Sequence, residues 1–163
     1  MNTKLVLHIV GINLTIVGFS MFLPLLWTFY YGSADTLAFI ISIIITVLCG
    51  LCLYFFGKQK EAFIRYKDGF AIVTFSWIAV SLFGSLPFIL SGTLVNPVDA
   101  FFETMSGFTT TGASILLNIE STLPGVLFWR SLTHWLGGMG IVVLFIAILS
   151  SVGAGGFQIY KAE

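Results

Sequence analysis

Charged residues in this chain are gathered into clusters, and four long stretches between the clusters hold none. No Asp, Glu, Lys or Arg lies between Lys4 and Asp35, between Asp35 and Lys58, between Asp68 and Asp99, or between Arg130 and Lys161. A bilayer core of roughly 30 Å takes about 20 apolar residues in helical form, and each gap is long enough. Only 9% of the residues are charged and 58% are hydrophobic, a balance outside the soluble globular range. The expectation is an all-α polytopic membrane protein with four spans.

The positions of the charges also give an orientation. Lys58, Lys60, Arg65 and Lys67 crowd the connection between the second and third gaps, and Lys4 and Lys161 sit at the ends. The other two connections carry Asp35, Asp99, Glu103 and Glu120, with Arg130 as their one basic residue. The positive-inside rule then predicts a multi-pass protein with cytoplasmic termini and a cytoplasmic basic linker. The apolar run from Leu5 to Tyr31 is too long for a signal peptide and no small-x-small cleavage site follows it, so it reads as a retained helix that Pro24 kinks or ends.

Several function classes drop out. Zero formal net charge argues against a nucleic-acid partner. Cys49 and Cys52 form a Cys-x-x-Cys pair, but inside an apolar run, where a redox thiolate would be costly. No catalytic set, resident metal site or cofactor motif can be assembled from His8, His134 and the scattered acids.

Residues 91–124 do not fit a plain span or a short loop. Asn96 suits an N-cap, Pro97 the first helical position, and Asp99 stands where a carboxylate faces exposed amides. The predicted helix over 97–107 is about 16 Å long, half a bilayer. It runs straight into Thr109, Thr110, Thr111, Gly112, Ala113 and Ser114. A half-length helix followed by small residues that present backbone carbonyls is how membrane proteins build cation filters. Threonine and glycine are also ordinary loop residues, and Thr-Thr-Thr-Gly carries little weight without the capped half-helix before it. The predicted units are a two-helix hairpin (1–57), a basic linker (58–68), a pore repeat (69–152) and a tail (153–163). Within the repeat lie an outer helix (69–90), a pore helix (97–107), a filter (109–114) and an inner helix (125–151).

Asp99 to Ser114, together with Phe128-Trp-Arg-Ser-Leu-Thr-His-Trp-Leu-Gly-Gly-Met-Gly-Ile141, resemble the Trk/Ktr/HKT superfamily of potassium transporters, in particular the membrane subunit of bacterial Trk systems. The likeness covers essentially the whole chain. It implies a helical hairpin followed by one outer helix–pore helix–filter–inner helix repeat of potassium-channel type. It also implies that Thr110, Thr111, Gly112 and Ala113 supply filter carbonyls to potassium, with Gly112 at the family's signature glycine. In plant relatives a serine at this place accompanies sodium preference, so glycine favours potassium. The family carries four such repeats in one polypeptide, whereas this chain holds one, as an N-terminal fragment would. The implied partners are the bilayer, the three remaining repeats, a second copy in a homodimer, and a TrkA-type cytoplasmic nucleotide-binding subunit.

Supporting roles are expected for Thr109, Ser114, Glu103 and Arg130. Arg130 is placed to pair with Glu103 or Glu120 and brace the pore helix rather than to touch the ion. His134 reads as a hydrogen-bonded packing residue, and Gly137, Gly138 and Gly140 as sites of close helix packing. Two other classes remain open: a single-repeat homotetrameric cation channel, and a non-conducting membrane scaffold.

Overall fold

The structure, a computed structural model, describes residues 2–58 and 66–140. Most of the basic linker, the inner helix past residue 140 and the tail lie outside the described residues. Within them the chain is helical. α1 (Thr3–Ser20) and α2 (Phe22–Tyr31) form a first span, and α3 (Thr36–Phe56) returns beside it. α4 (Tyr66–Gly84) and α5 (Leu86–Leu90) form another, followed by the short α6 (Pro97–Phe108). A last helix, α7, starts at 124 and is described through 140. Among the described residues, Thr3–Tyr31, Thr36–Phe56 and Lys67–Leu90 are long and apolar enough to cross a membrane.

Two of the expected spans are broken helices, and a proline explains each break. A proline ring clashes with the carbonyl four residues back and offers no N–H to it. Pro24 thus disrupts bonding to Ser20, where α1 ends, and Pro87 disrupts bonding to Phe83, next to the end of α4. The outer helix expected over 69–90 therefore divides at Ser85. The second break has a further effect. Phe88 N–H turns to the Ser85 carbonyl (3.1 Å), which leaves the Gly84 carbonyl to accept the Trp129 indole N–H of α7 at 2.8 Å.

α1 packs against α3 along its length and against α4 on another side, and α6 lies on α4. Gly11 and Gly50 let the α1 and α3 backbones touch: a Cβ on Gly11 would meet the Gly50 carbonyl and the Tyr54 amide. Asn13 of α1 donates to Ser76 of α4 at 2.9 Å, a polar pin between spans. Leu14, Met21, Phe39, Phe88, Val126 and Trp129 fill the core. Outside it, Ile16, Phe19, Leu26, Leu48, Phe55 and Leu82 face outward, an apolar surface that suits lipid and not water.

Two buried acids fix which helix ends lie together. Asp68 of α4 accepts the Asn2 backbone N–H at 2.7 Å, so α1 and α4 begin at one end of the bundle. Asp35, in the α2–α3 turn, accepts the Val126 N–H at 3.1 Å, so that turn and the start of α7 share the other end. The exposed aromatics Trp27, Tyr30 and Tyr31 cluster beside this second end, the composition of a membrane–water interface.

Candidate functional site

α6 forms where the sequence places it because its start is well capped. The Asn96 side chain accepts the Val98 N–H at 3.1 Å, and Pro97 opens the helix. Its 12 residues span about 18 Å. Its end is a Schellman turn: Thr110 N–H bonds to the Gly107 carbonyl and Thr111 N–H to the Ser106 carbonyl, each at 2.9 Å. The residue that such a turn places in the left-handed region is usually glycine. Here it is Thr110, at φ 56°, an unfavourable setting for a β-branched side chain. Gly112 follows at φ 79°, a value suited to glycine.

These two reversals govern where the loop's carbonyls go. The Thr109 carbonyl accepts the Thr110 hydroxyl at 2.7 Å, and the Ala113 carbonyl accepts the Ser106 hydroxyl at 2.6 Å. Between them, the carbonyls of Thr110, Thr111 and Gly112 accept no hydrogen bond among the described residues. All three residues are exposed. Three consecutive unpartnered acceptors, bounded on each side by a tied one, are what a cation ligand set requires of a backbone. Ala113 differs from its three predecessors, since one acceptor position on its carbonyl is already occupied. The terminal carbonyls of α6 are also largely engaged: Met105, Ser106 and Gly107 accept from the loop's own amides. That leaves less of the helix's negative pole open than its length alone implies.

Glu103 holds the loop from behind. It is 1% exposed, and its carboxylate accepts the Ser114 hydroxyl (3.0 and 3.2 Å), the Ile115 N–H (2.8 Å) and the Arg130 Nε–H (2.6 Å). One acid thereby joins α6, the strand leaving the loop, and α7. Of the two partners considered for Arg130, the ion pair is with Glu103. Thr109 and Thr111 share a hydroxyl–hydroxyl bond at 2.8 Å, and the Thr109 hydroxyl also reaches Met105.

α7 backs the site by direct contact. A Cβ on Gly137 would run into the Phe108 carbonyl, so glycine there lets α7 reach the base of the loop. Gly138 and Gly140 meet only ordinary contacts with Thr110 and Trp77, and packing does not demand glycine at either. His134 lies beside Gly107 at the same contact, but its ring has no hydrogen-bond partner among the described residues. Among the described residues there is also no cluster of His, Cys, Asp and Glu able to hold a metal ion. Sequence reasoning missed the Asp35–Val126 bond. Its only signal was an isolated acid between two spans.

The family model for TrkH, described as "Cation transport protein", matches residues 35–163. The chain belongs to the TrkH family. Three relatives define the TrkH-family likeness further. The Trk system potassium uptake protein TrkH of Halomonas elongata is 38% identical over all of this chain. The protein of the same name from Escherichia coli is 35% identical, again over all of it. The crystal structure of the potassium transporter TrkH from Vibrio parahaemolyticus superposes with a TM-score of 0.87 at 33% identity, covering 96% of the chain. This TrkH-family chain spans about a third of the length of each of these relatives, 34% in every case.

Proposed function

We propose that this chain contributes one of four filter segments to the ion-conducting subunit of a Trk-type potassium-uptake system. In this reading α4 and α5 are the outer helix, α6 the pore helix, residues 109–114 the filter, and α7 the inner helix. Potassium is the transported substrate, and the other three segments come from the remaining repeats of a longer polypeptide. The observation that carries the reading is the run of unpartnered, exposed carbonyls at Thr110, Thr111 and Gly112, with Glu103 clamped behind it. The printed names of the relatives, potassium uptake proteins and a potassium transporter, support the choice of ion.

Chemically, the site replaces water oxygens with carbonyl oxygens and does nothing covalent. Selectivity then depends on how firmly the carbonyls keep their spacing when a smaller ion would draw them inward. A loop strained at Thr110 and pinned at Ser106 and Glu103 resists that collapse. The full assembly adds lipid, a second copy and a TrkA-type cytoplasmic subunit as partners, with the basic linker on the cytoplasmic side of the bacterial inner membrane. It needs no cofactor.

Gly112→Ser in the complete natural reading frame tests the assignment. A Cβ at Gly112 meets nothing within 4 Å, so serine has room, and its effect must come through the backbone. At φ 79° an L-residue is disfavoured by about 1–2 kcal/mol, which rotates the peptide and its carbonyl away from the present setting. Rubidium and sodium uptake in a potassium-transport-deficient strain should show a lower rubidium preference. An unchanged ratio would remove residues 109–114 from the ion path.

A further inference from the structure

Asp35 is the one acid among residues 2–58, and it is fully buried. Its Oδ2 accepts the Val126 N–H at the start of α7, while its Oδ1 has no partner in the described structure. An acceptor oxygen at this place meets an amide of the first turn of α7, where the helix dipole is positive. The setting is also tight: a Cβ on Gly125 would meet the Thr28 side chain and Asp35 Oδ2, so the first turn of α7 is seated directly on the hairpin.

The helix that Asp35 holds is the one that organises the loop. Val126 and Arg130 lie one turn apart on the same face of α7. Arg130 bonds to Glu103, and Glu103 bonds to Ser114 and Ile115 on the outgoing strand. Farther along, Gly137 contacts the Phe108 carbonyl at the loop's base. Two buried carboxylates therefore grip α7 one turn apart, Asp35 from the hairpin and Glu103 from α6. A shift of the start of α7 is passed to both ends of the loop.

We propose that Asp35 is a positioning residue for ion discrimination, setting the filter through α7 from outside residues 109–114. The inference rests on the filter reading of residues 109–114. It assigns the N-terminal hairpin a part in selectivity, beyond that of a membrane anchor.

The test uses the complete natural reading frame in the potassium-transport-deficient strain, with rubidium uptake measured against sodium and normalised to protein in the membrane. Asp35→Ala and Gly125→Ala break the same contact from its two sides. Each should lower the rubidium-to-sodium ratio, by at most about fivefold, the factor reached if the whole worth of one helix cap is passed to the filter. Asp35→Asn keeps an acceptor oxygen and should hold the ratio near wild type. If Gly112→Ser lowers the ratio while Asp35→Ala and Gly125→Ala leave it alone, the filter reading stands and this inference falls. If Gly112→Ser also has no effect, both fall. Asn falling as far as Ala would overturn the capping argument. Absence of both alanine variants from the membrane, with Asp35→Asn present, would make Asp35 a folding residue only and overturn the proposal.

Discussion

Two helices in this molecule end in the same turn with different residues at its critical position. α2 closes with Gly32 N–H to the Phe29 carbonyl and Ser33 N–H to the Thr28 carbonyl. α6 closes with the same pair of bonds, shifted to Thr110 and Thr111. The left-handed residue is Gly32 at φ 60° in the first and Thr110 at φ 56° in the second. Glycine adopts that conformation at no steric cost, whereas an L-residue is disfavoured by about 1–2 kcal/mol. The cheaper solution is available to the chain, used in the hairpin, and absent beside the loop. Strain concentrated at one of two equivalent turns marks the one whose backbone has a further task.

The sharpest way to break the comparison is to remove what holds the strained turn. Glu103→Ala leaves Arg130 without its partner and strips bonds from Ser114 and Ile115. Breaking such a buried pair costs about 3–5 kcal/mol, and the strained turn should relax with it. Thermal unfolding of detergent-purified full-length protein should therefore show a large drop in Tm, and a Tm equal to wild type would show that the brace is not needed. Gly32→Thr comes next. No atom obstructs a Cβ there, so the cost is backbone strain alone, about 1–2 kcal/mol, with the rubidium-to-sodium ratio unchanged. A changed ratio would mean that strain in the hairpin turn also reaches the filter, through Asp35 and α7.

Thr110→Gly should have the smallest effect on stability. Relief of strain and the added freedom of glycine in the unfolded chain nearly offset, leaving the variant within about 1 kcal/mol of wild type. Its ion discrimination should nevertheless fall, because the Thr110 hydroxyl no longer ties the Thr109 carbonyl and the loop loosens. Stability and selectivity moving together in this variant would mean that the strain is incidental.

The sequence made the membrane class legible because charge is excluded from hydrocarbon whatever the packing. It made α6 legible because Asn96 and Pro97 are local capping signals that act within one turn. The Glu103–Arg130 pair was one of two possibilities that charge alone left open, and geometry chose between them. The breaks at Met21 and Ser85 were half legible. Pro24 announces the first, whereas Pro87 lies inside an apolar run that reads as one unbroken span. The strain at Thr110 and the ties on Thr109 and Ala113 were not legible, since nothing in Thr-Thr-Thr-Gly states which residue takes a positive φ. The Asp35 contact spans 91 residues of sequence, beyond the reach of any local pattern.

The bond from Trp129 to the Gly84 carbonyl bears on how the protein is made. When α4 and α5 enter the bilayer, the proline break has already released that carbonyl, and its partner lies 45 residues downstream. Until α7 is inserted, an unmet polar group sits within a segment that must cross the membrane, a costly state in lipid. The bend at Ser85 is therefore completed late, by a helix synthesised afterwards. A span released singly into lipid before α7 would carry that carbonyl unmet, a cost that the Trp129 indole removes.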